Sequence, residues 1–112
     1  MKGTLMVFRL AVVIALLVGL GGLFGVYPMS PVLTDVHIVA GIMVLVSVVW
    51  LFLQTKTPVL AIAALLVLLG GLLPMVSRAD SLGVRMFHVV VMLVAVGLAE
   101  MGVGRFNRTH AS

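Results

Sequence analysis

Four apolar stretches, each long enough to cross a lipid bilayer, occupy almost the whole chain and restrict its fold more than any other feature. They span about residues 5–26, 32–53, 58–75 and 82–103, and about 20 apolar residues in a helix cross a hydrocarbon layer of about 30 Å. Of the 112 residues, 63% are hydrophobic and 9% are charged, which is too apolar for a small soluble domain. The sequence therefore predicts an all-α integral membrane protein, surrounded by membrane lipid, with a single transmembrane domain over residues 1–112.

The basic residues are distributed unequally between the two ends of these stretches. One side carries Lys2, Arg9, Lys56, Arg105 and Arg108, and the other carries Arg78 and Arg85. Because cytoplasmic loops are enriched in Lys and Arg, we expect a multi-pass plasma membrane protein with both termini in the cytoplasm and with loops 27–34 and 74–81 outside. The net charge of +4 is thus a topology signal and does not indicate a nucleic-acid partner.

The chain contains an internal repeat. Residues 16–23 match residues 65–72 at seven of eight positions, with an offset of 49. After a loop, His37-Ile38-Val39 is similar to His88-Val89-Val90, with an offset of 51. The repeating unit is therefore a helical hairpin, and two such hairpins predict a four-helix bundle with pseudo-twofold symmetry about the membrane normal.

Two histidines occupy equivalent positions of this repeat. His37 and His88 each lie about six residues, or ~9 Å, into a predicted helix from its outer end. Across a bundle diagonal of roughly 12–14 Å, two imidazoles at one depth are suited to the axial ligation of one haem iron. The alternative is a neutral histidine that forms a local hydrogen bond, whereas zinc or copper would need further ligands.

Other residues near the predicted histidine layer are candidate parts of the same site. Glycines would give a flat macrocycle room, or they would simply let the helices pack closely. These glycines are Gly21, Gly22, Gly41, Gly70 and Gly71. Arg85 either pairs with a haem propionate or reaches the outer headgroups. Asp35 is either a functional acid or a first-turn residue stabilised by the helix dipole.

The order Leu-Gly-Gly-Leu, outer loop, helix with an early histidine resembles the repeated hairpin of the heme A synthase family. It occurs at Gly21-Gly22 with His37 and at Gly70-Gly71 with His88, so essentially the whole chain resembles one four-helix half of that family. The resemblance implies that both histidines ligate one haem b on the outer side, with haem O or haem A as substrate or product. Only Asp35 stands where the catalytic half of the family has a glutamate, and the chain has no cysteine to form that family's outer-loop pair. Both departures favour the cofactor-holding half.

These observations predict a haem b-binding membrane protein and leave its reaction open. It either transfers electrons in the respiratory chain, with quinol or a terminal oxidase as partner, or oxidises haem O to haem A as a compact, heme A synthase-like oxidoreductase. A homodimer would then restore two haem sites. The alternative is a haem-free accessory membrane subunit of a respiratory terminal oxidase complex. A small drug exporter fits less well, because such transporters rely on a glutamate in helix one and residues 5–26 contain no acid.

Overall fold

The four apolar stretches form four α-helices in the part of the chain that the structure describes. The structure is a computed structural model, and it describes residues 1–76 and 81–110. The helices are α1 (Lys2–Leu23), α2 (Pro31–Thr55), α3 (Pro58–Val76) and α4 (Leu82–His110). Each is long and apolar enough to cross a membrane. The predicted all-α fold class is therefore confirmed, while Arg78 lies outside the described residues.

The chain divides into two compact units, Met1–Ser47 and Val48–Ser112. The first unit contains α1 and most of α2, and we name this pair hairpin one. The second unit contains the end of α2 together with α3 and α4, and we name the α3–α4 pair hairpin two. Hairpin one therefore carries His37, and hairpin two carries His88.

Serine caps begin both of the helices that carry these histidines. At α2 the Ser30 hydroxyl accepts a hydrogen bond from the Leu33 N–H at 3.2 Å. Pro31 takes the first helical position, where its missing N–H is of no consequence. At α4 the Ser81 hydroxyl accepts from the Val84 N–H at 3.5 Å. Each serine lies seven residues before the histidine of its helix, so the repeat includes the start of the helix.

A Schellman motif ends α1. Gly25 has a φ of +71°, in the left-handed region that glycine enters without steric cost. The Val26 N–H donates to the Gly21 carbonyl at 2.9 Å, and the Gly25 N–H donates to the Gly22 carbonyl at 3.3 Å. These two bonds define the motif. The helix therefore ends at Leu23, earlier than the predicted residue 26.

The bounds of α2 and α3 agree closely with the predicted spans 32–53 and 58–75. Ser30 and Pro31 start α2 at Pro31, and α2 ends at Thr55. The third helix includes Pro74 and ends at Val76. The first turn of α2 and the end of α3 therefore lie within the predicted loops 27–34 and 74–81.

The end of α4 lies well beyond the predicted residue 103, at His110. Arg108 and His110 occupy the last turn, where positive charge interacts favourably with the helix dipole. The His110 ring stacks on Phe106, with 4.0 Å between the ring centroids. The last turns of α4 are therefore helical although their sequence is polar. The interaction of positive charge with the helix dipole and the stacking of His110 on Phe106 stabilise them without an apolar face.

Hairpin two packs along a seam of small and branched side chains. The buried residues are Leu60, Ala63, Val67 and Gly70 on α3 and Ala95, Ala99, Gly102 and Val103 on α4. A Cβ on Gly102 would lie 3.2 Å from Leu60 Cγ, so the glycine lets the two helices approach. Small residues have this effect in membranes, where van der Waals packing holds helices together in place of the hydrophobic effect.

The connection between α2 and α3 contains a strained residue, Lys56. Its φ is 55°, and its N–H donates to the Phe52 carbonyl at 2.6 Å. This is a left-handed helix cap in which glycine is the usual residue. Any other residue in this conformation costs about 1–2 kcal/mol.

We expect Lys56→Gly to stabilise the folded protein by about 1 kcal/mol, because glycine relieves this strain. The measurement is the thermal unfolding midpoint of the purified protein in detergent. Lys56→Ala is the matched control, since it also removes the ammonium group, which lies 5.9 Å from the Phe52 ring centroid, but keeps the strained backbone. Equal midpoints for the two variants would contradict the backbone explanation.

Candidate functional site

His37 packs against α1 inside hairpin one. Its Nδ1 lies 3.0 Å from the Ala15 carbonyl oxygen, and because a carbonyl only accepts, Nδ1 carries the proton and donates. A Cβ on Gly19 would lie 2.8 Å from His37 Cε1, so the ring fills the space that glycine leaves. Ala15 and Gly19 are one turn apart on α1. The first accepts the hydrogen bond of the imidazole, and the second leaves room for its ring.

His88 makes the corresponding bond inside hairpin two. Its Nδ1 donates to the Gly70 carbonyl oxygen at 2.7 Å. A Cβ on Gly70 would lie 2.8 Å from Val91 Cγ1 and 3.2 Å from Met92 Sδ. Gly70 therefore both accepts the histidine bond and lets α4 come close to α3 at that level.

The two histidines share one tautomer, and this determines what each ring can do. With the proton on Nδ1, the lone pair of the neutral imidazole lies on Nε2. Histidines that bind metals are commonly oriented in this way, by donating the other ring N–H to a backbone carbonyl. Both side chains are half-buried.

His110 shows that a carbonyl bond alone does not make a histidine a candidate ligand. Its Nδ1 also donates to a carbonyl, that of Phe106, at 2.9 Å. That bond lies within one helix, however, and His110 is exposed. His37 and His88 differ from it because their bonds join two helices, and because the two rings themselves occupy matched positions of the repeat.

The repeat also extends through the buried face of the histidine helices. With the offset of 51, three buried residues of α2 correspond to three buried residues of α4. The pairs are Val44 with Ala95, Val48 with Ala99, and Leu51 with Gly102. His37 and His88 lie on the same faces, about two turns before the first pair. Each histidine is therefore the outermost member of a packing row.

Gly21 and Gly22 make room for the loop that connects α1 and α2. A Cβ on Gly21 would lie 2.6 Å from the Tyr27 hydroxyl oxygen, and that hydroxyl donates to the Val18 carbonyl at 2.6 Å. A Cβ on Gly22 would lie 3.0 Å from Met29 Sδ. The contacts of these two glycines are thus with the loop, and their role beside a macrocycle stays a prediction.

The hairpins differ in the level at which the histidine meets its partner helix. With the offset of 49, the residue of α3 that corresponds to Ala15 is Ala64. His88 instead bonds Gly70, six residues further along α3, or ~9 Å along a helix. The single mismatch in the eight-residue repeat is Gly19 against Leu68. The mismatch therefore marks the position that receives the His37 ring.

The other candidate residues are two glycines, Gly41 and Gly71, and two charged residues, Arg85 and Asp35. A Cβ on Gly41 or Gly71 would meet nothing within 4 Å, so there is open space beside both. Arg85 is exposed and lies three residues before His88. Asp35 is exposed, and the first turn of α2 contains no acidic residue. Since the dipole acts mainly within the first turn, the interpretation of Asp35 as a first-turn residue is wrong.

Among the described residues, no group of three or more His, Cys, Asp or Glu side chains is arranged to hold a metal ion. A haem iron takes only its axial ligands from the protein. With the proton on Nδ1, each imidazole carries its lone pair on Nε2 and so fits the chemistry of a haem ligand, and ligation of one iron by both stays a prediction.

Comparison with known proteins identifies no relative. No protein-family model matches the chain, and no curated protein or solved structure matches it significantly. The resemblance to heme A synthase therefore rests on the glycine and histidine motifs alone and stays a prediction.

We expect Gly19→Ala to displace the His37 ring and to weaken its bond to Ala15. The cost of inserting a methyl group at a contact this close is about 1–3 kcal/mol. The measurement is again the thermal midpoint in detergent. Gly97→Ala is the matched control, because a Cβ there would meet nothing within 4 Å. If both variants unfold at the same temperature, the proposed fit of His37 over Gly19 is wrong.

Proposed function

We propose that this chain is a multi-pass plasma membrane protein that binds haem b through His37 and His88 and transfers electrons in a respiratory chain. The observation that carries the proposal is the repeated imidazole–carbonyl bond, 3.0 Å long at His37 and 2.7 Å at His88. This bond orients each ring and leaves the lone pair on Nε2, as a haem ligand requires. Two axial ligands per chain correspond to one bis-histidine haem per chain.

Electron transfer is favoured over haem oxidation by the ligand set. His37 and His88 would hold the haem, and a haem held by two imidazoles would supply one-electron transfer rather than oxygen chemistry. The chain has only three acidic residues, and Asp35, the one nearest in sequence to His37, is exposed. We therefore propose electron transfer with quinol or a terminal oxidase as the partner, and heme A synthase-like oxidation as the second form of the same proposal.

A haem-free accessory subunit of a terminal oxidase complex is the competing proposal, and the same bond supports it. Polar side chains join helices in membranes by hydrogen bonds to one another and to the backbone, at about 0.6 kcal/mol each on average. On this interpretation the Nδ1 donor is the functional group of His37 and His88. The two proposals therefore assign function to different nitrogens of the same rings.

Asparagine substitutions separate the two nitrogens. The Asn side-chain NH2 group lies as many bonds from Cβ as Nδ1 does, so His37→Asn and His88→Asn can keep the carbonyl bond but lose Nε2. We expect wild-type protein to show a Soret band and a reduced α band at about one haem per chain, and each variant to fold but to lose most of its haem. The measurement is a pyridine haemochrome assay together with the thermal midpoint.

His110→Asn should retain full haem, because His110 is exposed and bonds only within its own helix. Colourless wild-type protein, with His→Asn variants as stable as wild type and His→Leu variants less stable, would instead support the accessory-subunit proposal.

The proposed orientation places both termini in the cytoplasm, on the strength of the unequal distribution of Lys and Arg. Because the chain has no cysteine, single cysteines report topology without background. We expect a membrane-impermeant maleimide to label Phe24→Cys in intact cells, and to label Gln54→Cys only after the membrane is opened. Both side chains are exposed. The reverse labelling pattern would invert the proposed topology.

A further inference from the structure

Pro74 lies inside α3, two residues before its last residue, Val76. A proline has no backbone N–H, so it cannot donate to the carbonyl four residues earlier in a helix. For Pro74 that carbonyl belongs to Gly70. In an apolar environment a carbonyl that loses its helical donor must be satisfied from a neighbouring element.

The donor that reaches this carbonyl is His88. Its Nδ1–H bonds the Gly70 oxygen at 2.7 Å. Gly70 has no side chain to obstruct the approach of α4, and the Val91 and Met92 side chains lie directly against it. The histidine therefore bonds the one carbonyl of α3 that Pro74 leaves without an α-helical donor.

Hairpin one provides an internal comparison. His37 bonds the Ala15 carbonyl at 3.0 Å, but the residue four positions later is Gly19, which has a backbone N–H. The Ala15 carbonyl is thus shared between helix and histidine. The residue at the repeat position of Pro74 is Gly25, which lies beyond the end of α1, so hairpin one has no equivalent of the proline.

We propose that Pro74 is a positioning residue for His88. By leaving the Gly70 carbonyl to the imidazole, it holds His88 in the Nδ1–H tautomer and strengthens the donor character of Nε2. A stronger hydrogen bond at the second nitrogen makes an imidazole a more basic ligand, and a more basic axial ligand stabilises ferric over ferrous haem. The effect on haem rests on the proposed function, whereas the effect on the tautomer does not.

The test is Pro74→Ala in the full chain, with Pro74→Ser as a second variant that also restores the N–H. The matched control is Pro58→Ala, because Pro58 is the first residue of the same helix and releases no carbonyl within it. The first readout is 15N NMR of histidine-labelled protein at a pH where the imidazoles are neutral, with His88 assigned by its loss in His88→Asn. The second is the midpoint reduction potential of the haem.

We expect the His88 signals to shift towards tautomer exchange in both Pro74 variants, with His37 and Pro58→Ala unchanged. In haem-loaded protein we expect the midpoint potential to rise in the Pro74 variants alone. Unchanged His88 signals would overturn the positioning proposal, whether or not haem binds. Haem-loaded variants with the wild-type potential would overturn its effect on the ligand. Colourless wild-type protein would end the haem proposal, and the NMR result would still decide the role of Pro74.

Discussion

The hydrogen bond from an imidazole to a backbone carbonyl joins the two helices of each hairpin, and the candidate site depends on it for the orientation of its rings. Apolar helices offer few polar groups other than the backbone, and in lipid such groups must find partners within the protein. The bond joins α1 to α2 at Ala15 and α3 to α4 at Gly70. Because imidazole has two nitrogens, this one contact can join two helices and orient a ligand at the same time.

Glycine determines where these contacts can form. The His37 ring lies over Gly19, and α4 approaches α3 closely at Gly70. At either position a Cβ would lie 2.8 Å from a neighbouring carbon atom, closer than packed side chains tolerate. Gly19 and Gly70 therefore allow close approach inside each hairpin, whereas a Cβ on Gly41 or Gly71 would meet nothing within 4 Å and the role of these two glycines beside a macrocycle stays a prediction.

The sequence predicted the four helices because each is a long apolar run, and it predicted the histidine pair because duplication repeats it. It could not predict which carbonyl each histidine meets, since that depends on how far one helix slides along the other. The sequence shows the mismatch between Gly19 and Leu68. Only the structure shows that the His37 ring packs against Gly19. Some helix ends differ from the predicted ends for local reasons. The left-handed backbone of Gly25, for example, ends α1 before the apolar run itself ends.

His37 and His88 are equivalent in the repeat, but the carbonyls that accept their hydrogen bonds differ between the two hairpins. The Ala15 carbonyl keeps a helical donor at Gly19, whereas Pro74 removes the donor from the Gly70 carbonyl. The bond at His88 is also the shorter, 2.7 Å against 3.0 Å. A bis-histidine haem would thus have one stronger and one weaker axial donor of the same residue type. A proline four residues from the acceptor would tune that difference through the backbone, without any change of ligand.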